Sequence, residues 1–203
     1  MIAIIDYGMG NLRSVQKALE KAGGQTLITH DRRDIQVAEK VVLPGVGAMQ
    51  PAMDRLKELQ LIDPILSVAA EKPFLGICLG LQLLFNTSTE GGQTSGLGIV
   101  PGSARRFTGL KVPHMGWNQL NIEQGHCPLF QNIENGTDLY FCHSYYVDPD
   151  DESLIAGTTD YGIPFTSAVW RDNLFAVQFH PEKSQDAGLK ILENFVNLQE
   201  ASL

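Results

Sequence analysis

The sequence is short of cysteine, and what it has is badly spaced for cross-linking. Its 203 residues include three cysteines, Cys78, Cys127 and Cys142, with no CxxC pair. That pattern excludes a zinc ribbon or redox dithiol, and the odd, sparse count argues against a secreted disulfide scaffold. Charge is also scarce: Asp, Glu, Lys and Arg make up 19%, with a formal net charge of -8. The adjacent arginine pairs are Arg32-Arg33 and Arg105-Arg106. Nucleic acid and anionic membranes want clustered cations, so neither is an expected partner. No apolar run approaches the ~20 residues of a membrane span. The opening MIAIIDYG is too short for a signal peptide and carries Asp6 inside the run. These absences point to a soluble cytoplasmic protein.

What is present reads as one α/β domain over residues 1–203. The hydrophobic share of 43% suffices for a substantial core. Ile2–Ile5 reads as a buried strand, and Asn11 is a good N-cap for a helix carrying Leu12, Val15, Leu19 and Ala22. Gly23-Gly24 stops that helix. Further strands are expected at Thr26–Thr29, Val41–Leu43 and Phe74–Ile77, and helices at Ala48–Leu59, Ile62–Ala70 and Leu79–Phe85. Such alternation predicts a parallel sheet with helices on both faces. From Leu97 to Val177 short apolar runs are divided by Gly, Pro, Asn and Asp, which predicts more strands, partly antiparallel, with long loops. Ser184 is placed to cap a last helix bearing Leu189, Leu192, Phe195 and Val196. The expected fold is a single-domain, open, mixed, largely parallel sheet flanked by helices.

The most informative segment is Gly76-Ile77-Cys78-Leu79-Gly80. It has the G-x-nucleophile-x-G form between a buried strand and a helix. A nucleophile on so tight a turn takes strained dihedrals, and glycine two residues away on either side removes clashes. Its side chain then stands at the carboxyl end of the sheet, where ligands bind in open α/β folds. A lone cysteine is more often a buried structural residue, and Cys127 and Cys142 are read that way. Gln82 follows one helical turn after Cys78, on the same face; it can serve a substrate or be an ordinary exposed glutamine.

Phe179-His180-Pro181-Glu182 follows the apolar run Leu174–Val177. Pro181 disfavours helical geometry at His180. In an extended segment His180 and Glu182 face one side, so the carboxylate can hold one imidazole nitrogen and leave the other for Cys78. The plainer reading is a loop histidine and a solvated carboxylate. His30 and His126 sit in polar surroundings and are read as surface residues. The strand-ending turn Pro44-Gly45-Val46-Gly47 can present backbone N–H groups to an oxyanion, with the N–H of Leu79 as a second donor. Pro-Gly is also a common way simply to end a strand. Gly8-Met9-Gly10 is not a dinucleotide loop, because Arg13 stands where a third glycine is needed.

Together, LPGVG at 43–47, GICLGLQ at 76–82 and VQFHPEKS at 177–184 resemble the class I, triad-type glutamine amidotransferases. The resemblance implies a flavodoxin-like glutamine amidotransferase fold that hydrolyses L-glutamine without metal or organic cofactor. It implies Cys78 as nucleophile, His180 as base and Glu182 as orienter. Oxyanion donors would be the backbones of Val46, Gly47 and Leu79, and glutamine contacts Gln82, His143, Ser144 and Tyr145. IAIIDYGMGNLRSV at the start, VPHMGWN at 112–118 and CHSYYV at 142–147 are similar to the glutaminase subunits of imidazole glycerol phosphate synthases. That narrower likeness implies a heterodimer with a (β/α)8-barrel cyclase subunit, and places Asn11, Trp117, Tyr145 and Lys183 near the interface. Without it, Trp117 reads as a core aromatic and Lys183 as a solvated charge. Rival readings are a glutaminase serving another synthase, a stand-alone γ-glutamyl hydrolase or cysteine peptidase, and a non-catalytic binding module.

Overall fold

The computed structural model describes residues 1–198; positions 199–203 of the expected domain lie outside the described residues. Strands β1 (Ile2–Ile5), β2 (Thr26–Thr29), β3 (Lys40–Gly45) and β4 (Phe74–Cys78) alternate with helices. These are α1 (Leu12–Lys21), α2 (Arg32–Val37), α3 (Met49–Glu58) and α4 (Ile62–Glu71). Helix α5 (Leu79–Leu83) follows β4 directly. Next come β5 (Phe85–Ser88), β6 (Thr94–Ser95), β7 (Val100–Arg106), β8 (His114–Ile122) and β9 (Thr137–His143). The last strands are β10 (Tyr145–Pro149), β11 (Ile155–Asp160), β12 (Pro164–Arg171) and β13 (Leu174–Val177), before helix α6 (Gln185–Val196).

Strands β2, β1, β3, β4 and β13 lie side by side in that order, all parallel. This is the doubly wound order 2-1-3-4-5. The sheet continues through β12, β10, β7, β5 and β6, antiparallel at each step except β7 with β5. A branch leaves β12 through β11 and β8 to β9. The parallel half is the α/β part read from the alternating pattern. The antiparallel extension is the strand-rich second half.

The parallel strands β1, β3, β4 and β13 are apolar at nearly every position because helices cover both faces. Successive side chains point to opposite sides. Ala3, Ile5, Val41, Leu43 and Phe74 pack with Met49, Met53 and Leu56 of α3 and Ile65 of α4. Ile2, Ile4, Val42, Leu75 and Ile77 pack with Val15 and Leu19 of α1 and with Ile191, Leu192 and Phe195 of α6. Each fully buried Leu, Ile or Phe contributes roughly 1.5–3 kcal/mol.

Asn11 caps α1 as expected, accepting from the Ser14 N–H at 3.4 Å. Three local details differ from expectation. Helix α5 stops before Phe85 because the carbonyls of Leu83 and Leu84 accept from Leu97, Ile99 and Val100 at 2.8, 2.8 and 3.0 Å. Helix α2 buries only Ile35, too little to leave a periodic signal. Ser184 precedes α6 but does not cap it with its side chain. Among the described residues no helix is long and apolar enough to cross a membrane.

Candidate active site

Three neighbouring parallel strands end at one edge of the sheet. β3 leads into the Val46-Gly47 turn, β4 ends on Cys78, and β13 leads into Gln178-Phe179-His180. Gly45 pairs in register with Cys78, and Val177 with Ile77. Sheet order therefore brings together three segments far apart in sequence.

Cys78 has φ 55° and ψ -107°, a conformation that a residue with a side chain rarely adopts. Strain of this kind costs about 1–3 kcal/mol. The flanking glycines leave room for it. A Cβ on Gly80 would drive into the Leu43 carbonyl, and one on Gly76 would lie 3.0 Å from the carbonyl group of Gly80. The cysteine is 5% exposed. Its Sγ lies 3.9 Å from the Cys142 carbonyl oxygen and 3.7 Å from Nε2 of Gln178.

His180 and Glu182 meet, but not through the extended segment expected. Pro181–Lys183 form a 3-10 turn with His180 at its start, and the turn folds Glu182 back onto the ring. Oε1 of Glu182 lies 2.8 Å from Nδ1 of His180, with the two side chains 2% and 4% exposed. Burial by itself lowers the histidine pKa. Hydrogen bonds to, and the charges of, Cys78 and Glu182 outweigh burial and raise it to about 10. The backbone of His180 is clamped at both ends. Its N–H donates to Tyr140 at 2.8 Å, and its carbonyl accepts from the Ser184 hydroxyl at 2.7 Å. The same hydroxyl accepts from the Tyr140 N–H at 2.9 Å. Ser184 thus fixes the histidine segment rather than capping α6.

Cys78 and His180 open on a cavity of about 260 Å³, shared with Val46, Gly47, Leu79, Gln82, His143, Ser144, Tyr145 and Lys183. That is a small volume, below the ~300 Å³ at which drug-sized pockets begin, and suits a single amino acid. Of the residues singled out in the sequence, Glu182, Asn11 and Trp117 lie off its lining. Glu182 stands behind His180. Asn11 is exposed at the head of α1. Trp117, read on its own as a core aromatic, is 48% exposed on β8. Its ring stands edge-on to Tyr140, with centroids 6.0 Å apart. Nζ of Lys183 lies 5.7 Å from the centroid of that tyrosine ring.

Gln82 is buried rather than exposed. Its Nε2 donates to the Tyr145 carbonyl and to Oε1 of Gln178, each at 3.1 Å. His143 is buried beside it, with Nδ1 2.7 Å from the same Tyr145 carbonyl. A carbonyl only accepts, so this nitrogen carries the proton and Nε2 is an acceptor. Nε2 faces Nδ1 of His114 at 3.0 Å, and Nε2 of His114 faces the Asn118 amide nitrogen at 3.2 Å. Both rings are neutral in this arrangement. Burial lowers His114 to about 4. Burial, reinforced by the charges of His114 and His180 and opposed by the Tyr145 bond, lowers His143 to about 3.

Sequence reasoning passed over four residues here. Glu90 lines the cavity, and its Oε2 accepts from the Met49 N–H at 2.7 Å, a cap that Ala48 cannot supply. Pro113, after a cis peptide bond, also lines the cavity. Cys142 was read as structural, yet it lines the cavity and its carbonyl faces the sulfur. Gln178 stood within the VQFHPEKS segment without being singled out. Gln178, Cys142 and Pro113 had a signal, namely their places in the VQFHPEKS, CHSYYV and VPHMGWN segments, and Glu90 had none.

Known proteins share this arrangement of elements. The family described as Glutamine amidotransferase class-I matches residues 3–198. The imidazole glycerol phosphate synthase subunit HisH of Syntrophotalea carbinolica is 55% identical over 204 residues, spanning 96% of this chain and 98% of that one. The subunit of the same name from Geobacter sulfurreducens is 54% identical, spanning 96% and 97%. A crystal structure of a glutamine amidotransferase superposes with a TM-score of 0.76 over 98% of this chain and 100% of that one, at 16% identity. PurLQS from Thermotoga maritima gives 0.73 over 97% of each chain, at 19% identity. At such low identity these two structures speak to the fold alone.

Proposed function

We infer that this chain, which belongs to the class-I glutamine amidotransferases, is the glutaminase subunit of an imidazole glycerol phosphate synthase. It hydrolyses L-glutamine and passes the ammonia to a (β/α)8-barrel cyclase subunit in a heterodimer. The observation that carries the chemistry is the strained Cys78 sharing one cavity with the buried His180–Glu182 pair. Identity of 53–55% to three HisH chains, over 96% of this chain, supports the narrower assignment.

The Cys78 sulfur attacks the side-chain amide carbon of glutamine. Backbone N–H groups of Val46, Gly47 and Leu79 hold the oxyanion, each such donor being worth about 3 kcal/mol. Protonated His180 gives its proton to the leaving nitrogen, which departs as ammonia and leaves a thioester. Water then attacks with His180 as base, releasing glutamate and the thiol. Glu182 holds the ring in the working tautomer. The steps sum to glutamine plus water giving glutamate plus ammonia, and call on no metal or organic cofactor.

Gln82, His143, Ser144 and Tyr145 shape the glutamine pocket. The polar atoms of Gln82 and His143 described above are engaged internally, so these two serve as its fixed wall. Glu90 supplies a carboxylate for the substrate's α-ammonium group. The partner docks near Asn11, Trp117, Tyr145 and Lys183. Trp117 and Met115 support this, being 48% and 61% exposed and on the same face of β8. Such aromatic and methionine side chains are enriched at protein interfaces. The free thiols of Cys78, Cys127 and Cys142 fit a reducing cytoplasm.

The test is glutamate release from glutamine by the chain alone, and with the barrel subunit and its nucleotide ligand. Strong stimulation that vanishes in Cys78→Ala supports both parts of the reading. High activity unchanged by the barrel subunit removes the partner, and inactivity in every mixture removes the assignment.

A further inference from the structure

Gln178 is fully buried and follows β13 directly, two residues before His180. Its backbone N–H donates to the Ser167 carbonyl at 2.8 Å, which fixes the residue against the sheet. It is not among the residues that line the cavity. It does meet the sulfur of Cys78, at 3.7 Å.

Which end of the Gln178 amide faces the sulfur follows from the hydrogen-bond chain. The Tyr145 carbonyl can only accept, so Gln82 must turn Nε2 towards it. The second N–H of that same nitrogen reaches Gln178, which must therefore offer Oε1. The remaining end of Gln178, Nε2 with its hydrogens, is left facing Cys78. A flipped Gln178 would set two NH2 groups against each other and an oxygen against the sulfur.

Besides the His180 ring, which interacts with it from the cavity side, the sulfur has two polar neighbours of opposite preference. The Cys142 carbonyl at 3.9 Å can receive a thiol hydrogen but repels negative charge. The Gln178 amide donates, and hydrogen bonds to an ionised acceptor are roughly twice as strong as neutral ones.

We propose that Gln178, oriented by Gln82, is a positioning donor that holds the Cys78 sulfur and stabilises its anionic form from the side away from the substrate. This rests on the reading of Cys78 as nucleophile. The donor serves the sulfur before attack and again when the thioester breaks. It also gives Gln82 a use besides shaping the substrate pocket.

The experiment is alkylation of Cys78 by iodoacetamide in the full chain, followed by mass spectrometry of the Cys78 peptide between pH 5 and 10. Gln178→Met keeps the volume and removes the donor. The midpoint of its rate profile rises by about one pH unit, a tenfold loss of thiolate at a given pH below it. Gln82→Met frees the Gln178 amide to turn and shifts the midpoint the same way by less. An unchanged midpoint in Gln178→Met overturns the proposal. A second reading needs no change at Gln178. The Gln178 side-chain amide protons in the native chain shift with the alkylation midpoint and stop shifting in Cys78→Ala. Protons that do not respond overturn the proposal as well. The nucleophile reading is judged separately, by whether Cys78→Ala still releases glutamate.

Discussion

His114 and His143 share one hydrogen bond whose direction is set from outside the pair. Nδ1 of His114 donates across 3.0 Å to Nε2 of His143, because the other nitrogen of His143 must give its hydrogen to the Tyr145 carbonyl. Both pKa values are depressed in the folded chain, to about 4 and about 3. Unfolded histidine titrates near ~6.5. Below that pH the unfolded chain binds protons that the native chain refuses. The stabilisation is therefore present above ~6.5 and is lost as pH falls towards the folded values. Urea unfolding should show a slope of about 2 kcal/mol per pH unit near pH 5 from the pair. His114→Gln should halve that contribution; an identical slope in the variant would refute it.

Glu182→Gln should act in the opposite pH range. His180 is raised to about 10, so its charge-linked stability is fully present below ~6.5 and drains away as pH rises through about 10. Removing the carboxylate brings the two values closer and flattens the loss of stability between pH 7 and 10. Glutaminase turnover should drop by about 10²- to 10⁴-fold, since the ring loses its orienter. Turnover and urea midpoints measured on one sample check both outcomes.

Gly80→Ala should be far more damaging than Gly91→Ala. At Gly80 the obstacle is the Leu43 carbonyl, a piece of backbone in the central sheet. The cost should be at least about 4 kcal/mol, or roughly 10 °C in Tm. Gly91 has φ 67° and no neighbour within 4 Å. There the added methyl should cost about 1 kcal/mol through backbone conformation alone. Similar melting temperatures for the two variants would contradict this account of the turn.

Glu90→Gln separates a charge from a cap. The amide oxygen can still accept from the Met49 N–H, so stability should change by less than about 1 kcal/mol. Loss of the negative charge proposed to meet the α-ammonium group should raise the KM for glutamine about 10- to 100-fold with kcat little altered. Steady-state kinetics over a glutamine series would test it, and an unchanged KM would remove Glu90 from substrate binding.

What the sequence disclosed, and what it withheld, divides along the range of the forces. Signals carried within one element were legible: the apolar runs of β1, β3, β4 and β13, the Asn11 cap, and the glycine frame of Cys78. The pairing of His180 with Glu182 was legible in outcome but not in geometry, because a 3-10 turn, rather than an extended strand, folds the carboxylate back. Partnerships between distant segments left no local trace. Glu90 caps a helix far from it in the chain, the loop after Ser95 ends α5, and Ser184 clamps His180 to Tyr140. The burial of Gln82 belongs to this class too, since a glutamine within a helix looks the same whether it meets water or Gln178.

The insertion of β13 between β4 and β12 bears on how the enzyme is made. The strand that leads to His180 is synthesised nearly a hundred residues after the Cys78 strand it must lie against. A nascent chain halted before Leu174 has a bare β4 edge, open to mispairing with other chains. It has Cys78 but neither His180 nor Glu182. Long-range parallel pairing is slow to form, so completing the sheet and acquiring the chemistry become one late event. With the triad proposed above, a chain that has not yet added β13 to the sheet would lack glutaminase activity.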